Sequence, residues 1–222
     1  MTRCYNRAMT SAKTHGPLLA PHDPPRFREC PVCGYISADP AFGSGSTLCP
    51  ECGSHGDGRR PFPADRIRRV DERIRRYHTD GEHEVVVILV ATFLETLLED
   101  MLARIMAAEG ASVKLRAGVL DTQRSVGQRL GKLFPTLTGE QFEDAAARAG
   151  FGEFPRQWRS LRTERNAFIH DAAFDGQRES LSAETAAEAL RLLDQAYSLF
   201  VHINNRFVAG EKHRRRGDER AT

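Results

Sequence analysis

The chain carries two Cys-x-x-Cys knuckles, Cys30-Pro-Val-Cys33 and, after a further fifteen residues, Cys49-Pro-Glu-Cys52. Nothing else in the sequence restricts its fold as strongly. Each knuckle closes on a glycine, Gly34 or Gly53, which lets the backbone turn beneath a bound ion. Two such pairs set four thiolates at the corners of a tetrahedron. Zn2+ takes that arrangement with soft sulfur ligands, and four protein ligands leave no position open for water or substrate. The expected role of Zn2+ is therefore structural, supplying most of the fold of a module too small for its own core. Two disulfides are the competing use of these cysteines, but no apolar leader points the chain toward an oxidising compartment. Cys4 is left over and is expected to be incidental.

With 222 residues there is room for one medium domain beside a small satellite. The longest strictly apolar run, residues 85–91, is too short to span a bilayer, so no membrane association and a cytoplasmic location are expected. The net charge of +2 is unevenly placed: residues 1–80 sum to +4, residues 81–209 to −4 and residues 210–222 to +2. Only four of the 32 basic residues are lysine. Arginine suits bidentate phosphate contacts, although a GC-rich genome produces the same bias. Gly131-Lys132 lacks the spacing of a phosphate-binding loop.

The fold class read from this pattern is mainly α, a run of helices preceded by the small cysteine module. Residues 1–25 read as a flexible lead-in, 26–56 as the Cys4 module, 57–81 as a linker with a basic helix, 82–209 as the helical domain and 210–222 as a basic tail. The linker helix, over 64–78, places Ile67, Val70, Ile74 and Tyr77 on one stripe, with Arg66, Arg68, Arg69, Arg73, Arg75 and Arg76 around it. From Glu82 to Gly110 helical periodicity outweighs the β-branched run and predicts one long buried helix. A further helix is expected over about 122–134, stopped before Pro135. Thr138 to Gln141 reads as a capping box opening a short helix to Gly150. Pro155 suits the first turn of a helix reaching Asp171, Asp175-Gly176 marks a turn, and the last helix runs over about 183–208.

The helix from Pro155 holds the segment Arg162-Thr-Glu-Arg165-Asn166-Ala-Phe-Ile-His170-Asp171. An Arg-x4-His spacing occurs twice, at Arg73…His78 and Arg165…His170, but asparagine follows the arginine only in the second. At about 100° per residue, Trp158, Leu161, Phe168, Ile169 and Ala172 span one apolar arc, and Arg165 falls inside it. A guanidinium there must be paired or face an interface. Glu95, Glu99 and Asp100 are the partners within reach of this reading, and Glu95 sits in a polar stripe with Thr92 and Glu99. Asn166 and His170 share a polar face one turn apart, near Arg159 and Arg162. His170 suits general acid–base work near neutral pH, and Arg165 suits the charge of a phosphorane. The competing readings are a helix C-terminal cation for His170 and an interior ion pair for Arg165. Arg73…His78 reads as solvated charge, and Arg156 and Arg159 as either phosphate contacts or plain surface arginines.

The cysteine module resembles the zinc-ribbon family. The Arg165-Asn166-x3-His170 segment, late in a helical domain whose long first helix reads Val90-Ala-Thr-Phe-Leu-Glu-Thr-Leu-Leu-Glu-Asp100, resembles the HEPN superfamily over about residues 82–208. The resemblance implies an up-down helical bundle that forms a homodimer, with two motifs meeting in a metal-independent endoribonuclease centre. It implies RNA as substrate, cleaved to a 2′,3′-cyclic phosphate and a 5′-OH, and a toxin or antiviral defence role with an antitoxin or defence partner. The catalytic set it implies is Arg165, Asn166 and His170. From the placement of the residues themselves, Glu95 is expected as a polar group near that centre, with a plain surface stripe as the alternative, and Arg159 and Arg162 as the arginines toward RNA. A non-catalytic module binding nucleic acid or protein is the alternative.

Overall fold

The computed structural model describes residues 27–56, 58–171 and 181–209, without the side chains of residues 170 and 171. The N-terminal segment with Cys4, the Asp175-Gly176 turn, Ala172 and the basic tail lie outside the described residues. The fold is mainly helical with one small sheet. Strand β1 (Phe27–Glu29) lies between β2 (Ile36–Ser37) and β3 (Arg60–Phe62), antiparallel to both. A short helix α1 (Pro40–Gly43) follows β2, capped by the Asp39 carboxylate, which accepts from the Ala41 N–H. Residues 60–62, expected as linker, therefore belong to the cysteine module, because their backbone completes the edge of β1.

The helices follow in order: α2 (Asp65–Thr79), α3 (His83–Ala108), α4 (Val113–Thr122), α5 (Val126–Gln128), a π turn (Arg129–Leu133), α6 (Phe134–Thr138), α7 (Phe142–Arg148), α8 (Phe154–Asp171), α9 (Ala183–Asn204) and a closing π turn (Asn205–Ala209). Among the described residues no helix is long and apolar enough to cross a membrane. The axis of the domain is α3. Val87, Val90, Ala91, Leu94, Leu97, Leu98, Met101 and Ile105 are all buried, as their period requires, and the helix packs against α2, α8 and α9. Gly110 ends it with a left-handed φ of 86°, a conformation that costs other residues strain.

Three expectations change. First, α2 is not a linker: Ile74 is fully buried, and Asp71, 1% exposed, pairs with Arg75, which also donates to Asp194 of α9 at 2.6 Å. Tyr77, expected on the apolar stripe, is 39% exposed because it lies a turn beyond the packed residues. Second, helix continues through Pro135. The preceding π turn carries the Phe134 N–H to the Arg129 carbonyl, and Pro135 then sits in the first turn of α6, where a missing N–H costs little. A separate helix, α4, occupies 113–122 and is capped by Ser112. Third, Thr138 does not open α7. Its hydroxyl donates back to the Phe134 carbonyl and so closes α6, while Gln141 caps α7 without a side-chain bond.

A cluster of aromatic edges fixes α8. Phe142 meets Phe134 at 5.4 Å, Phe154 at 6.5 Å and Trp158 at 6.5 Å between ring centres, and Phe154 also meets Phe200 of α9 at 6.3 Å. Such contacts add about 0.5–1.5 kcal/mol each to the area they bury. They hold the first half of α8 and thereby set which face of its second half turns toward α3.

Candidate functional site

The four cysteines converge. Cys30 and Cys52 Sγ lie 3.8 Å apart, Cys33 and Cys49 Sγ 3.6 Å apart, and all four sulfurs fall within 4.8 Å of one another. A tetrahedron with Zn–S bonds of about 2.3 Å has edges of about 3.8 Å, so the cage fits that ion. In each knuckle the glycine N–H closes on the first cysteine: Gly34 donates to the Cys30 carbonyl and Gly53 to the Cys49 carbonyl, with left-handed φ of 78° and 66°. Cys30, Cys33 and Cys49 are at most 2% exposed. Burial pushes the Cys33 and Cys49 thiols up. Burial acts on Cys30 too, but hydrogen bonds from the Ser54 hydroxyl and from the Cys33 and Val32 backbone outweigh it and bring its pKa down to about 6. The chemistry available is thus closed, four-thiolate coordination of a metal such as zinc.

The module is built into the domain rather than hung from it. Asn205 accepts from the Ile36 N–H at 2.8 Å and donates to the Ile36 carbonyl at 2.7 Å, as a neighbouring strand would. Asn204, 2% exposed, donates to the carbonyl of Gly34, the residue after Cys33. Arg104 of α3 reaches both oxygens of Glu29, at 3.2 and 3.3 Å. Phe27 and Ile36 belong to the same apolar core as α3 and α9. The only sign of these clamps in the sequence is two adjacent asparagines, Asn204 and Asn205, at the end of an apolar helix.

The second constellation lies between α3 and α8. Glu95 Oε1 accepts from Arg165 Nη2 at 2.9 Å and from Arg162 Nε at 3.3 Å. Of the three partners considered for Arg165, Glu95 is the one it meets; Glu99 pairs with Arg129 at 3.1 Å and Asp100 with Arg104 at 2.8 Å. Two guanidiniums share one carboxylate, so the cluster keeps a formal charge of +1. Arg165 is 17% exposed at its side chain, and its buried Nε has no hydrogen-bond partner among the described residues. Arg162 is thus drawn inward, whereas Arg159 stays 75% exposed and only 4.0 Å from Glu143. Asn166 is exposed, and His170 lies in the last turn of α8, its side chain outside the described residues.

A groove of about 200 Å³ opens beside this cluster, lined by Val126, Gly127, Leu130, Gly131, Trp158, Arg159 and Arg162 among others. Its far wall is the segment of α5 and the π turn, where one helix over about 122–134 was expected. The signal missed was a capping box: Ser125 accepts from the Gln128 N–H, and the Gln128 side chain accepts from the Ser125 N–H. A larger groove of about 380 Å³ lies between α8 and α9, but Arg165, Asn166 and Glu95 are not among the residues lining it. In comparison with known proteins, the chain matches no family model, no curated protein and no solved structure, so the zinc-ribbon and HEPN resemblances rest on the motifs that suggested them.

Proposed function

We propose that the chain is a metal-independent endoribonuclease whose reactive groups come from α8, with Zn2+ held by Cys30, Cys33, Cys49 and Cys52 as a structural ion. The observation that carries this reading is the pair of α8 guanidiniums on the single carboxylate of Glu95, a positive, partly solvent-open cluster beside the exposed Asn166 and one turn before His170. RNA supplies its own nucleophile. The 2′-oxygen attacks phosphorus as His170 takes the hydroxyl proton, the bond from phosphorus to the 5′-oxygen breaks, and that oxygen takes a proton from an acid. The products are a 2′,3′-cyclic phosphate and a 5′-OH. Arg165 places its charge where the phosphorane gathers negative charge, and Glu95 fixes the guanidinium plane. One His170 fills only one proton-transfer role; a two-fold homodimer brings a second. An RNase of this design fits a toxin or defence effector restrained by a partner.

The same ion pair favours a second reading, a non-catalytic RNA- or protein-binding module in which Glu95 merely neutralises Arg165. RNA cleavage in the presence of EDTA decides between them, with zinc content and oligomeric state measured on each sample. Cleavage that disappears in His170→Ala supports catalysis by α8. Cleavage equal in the two proteins places the activity elsewhere, and RNA binding without cleavage supports the second reading.

A further inference from the structure

Helix α2 carries six arginines, and the structure divides them into two kinds. Arg75 bridges Asp71 and Asp194, and Arg68 pairs with Asp65 at 2.9 Å and Glu72 at 3.7 Å. Arg66, Arg69, Arg73 and Arg76 are all exposed, and among the described residues the ion pairs of α2 involve only Arg68 and Arg75. At about 100° per residue these four, with Tyr77, fall inside an arc of about 100° on one side of the helix. They run for about 15 Å along its axis, the rise of roughly four stacked nucleotides. Like charges three and four residues apart repel, so the stripe weakens the helix unless something neutralises it. The carboxylates of α2 are spent on the other two arginines.

We infer that this stripe is a binding face for the phosphodiester backbone of single-stranded RNA, with Tyr77 offering a ring on which a base stacks. Four guanidiniums in a row suit a repeating anion, and an exposed aromatic at the end suits an unpaired base. A membrane surface fits less well, because an interfacial helix inserts its apolar face, and here Ile67, Val70 and Ile74 are turned into the domain. The face itself is independent of the cleavage centre. The choice of RNA as the polymer rests on the proposed function, and the test below reads binding alone so that the two fail separately.

The zinc-loaded full chain is titrated against a short fluorescein-labelled single-stranded RNA with 2′-O-methyl sugars, which cannot be cleaved by 2′-attack, over a range of salt concentrations. Arg69→Gln combined with Arg73→Gln is expected to weaken binding roughly tenfold or more and to flatten the slope of log K against log salt by about 1.4, at about 0.7 per phosphate contact. Tyr77→Ala is expected to weaken binding while leaving that slope unchanged, which a purely electrostatic face would not show. Unaltered circular dichroism and zinc content establish that the variants are folded. An unchanged affinity and slope in the double variant overturns the inference, as does loss of binding to phosphatidylserine vesicles in that variant with RNA binding intact. Cleavage lost in His170→Ala with this binding retained would leave both readings standing.

Discussion

Asn205→Ala tests whether the cysteine module is part of the domain's fold. The substitution removes the two bonds to Ile36, at 2.8 and 2.7 Å, and strands an N–H and a carbonyl on a residue that is 1% exposed. A hydrogen bond contributes about 1 kcal/mol net, and a buried group left unpaired costs about 1–3 kcal/mol. Part of that cost is recovered where water reaches the opened seam, which leaves a loss of about 2–3 kcal/mol. For a chain of 222 residues this lowers Tm by roughly 5–10 °C. Differential scanning calorimetry of the zinc-loaded protein measures it, and a single transition should be retained. Asn205→Asp keeps the acceptor for the Ile36 N–H but turns a carboxylate oxygen toward the Ile36 carbonyl, so its loss should be at least as large. A shift below about 1 °C in Asn205→Ala, or a separate low-temperature transition in the wild type, would refute the clamp and restore a loosely hung module.

The purified protein should contain a single equivalent of zinc, and Cys33→Ser should lose it together with several degrees of Tm, because Asn204 ties the residue after Cys33 to α9; metal analysis and calorimetry check both. Tyr197→Phe should stabilise the protein by about 1 kcal/mol in chemical denaturation, since the Tyr197 hydroxyl is buried with no hydrogen-bond partner among the described residues. Burial holds the Asp71 carboxyl above its ordinary value of 3.8 despite the pull of Arg75. The folded state then binds more protons than the unfolded state, so the contribution of Asp71 to stability is fully present below 3.8 and is lost as pH rises through the folded-state value. Asp71→Asn should therefore become progressively more favourable relative to wild type over that rise in pH, and a flat difference in stability against pH would contradict the assignment.

How far the sequence could be read depended on how local each signal was. The knuckles were legible because spacing and glycines alone bring four sulfurs together. The long helix α3 was legible because its apolar period persists through the β-branched run that argued for a strand. The pairing of Arg165 was legible as a need, since an arginine in an apolar arc must find a carboxylate, though only tertiary structure could choose Glu95 over Glu99 and Asp100. Helix through Pro135 was not legible, because a π turn shifts the hydrogen-bond register without any residue that announces it. The role of Thr138 was ambiguous, since the same hydroxyl can open one helix or close another. The seam between the module and the domain was invisible for a different reason: Asn204 and Asn205 meet residues nearly 170 positions away, and no local pattern encodes that distance. The bridge from Arg75 of α2 likewise depended on where Asp194 of α9 came to lie.

The most direct measurement of whether α8 carries RNA-cleaving chemistry uses a single RNA and its copy with 2′-deoxyribose at the cleaved position, each incubated with wild-type protein in EDTA. Cleavage of the all-ribose strand to a 2′,3′-cyclic phosphate and a 5′-OH, with none in the deoxy copy and none of either by Arg165→Ala, is the result expected. Cleavage of the deoxy copy, a 5′-phosphate product, or undiminished activity in Arg165→Ala would contradict it.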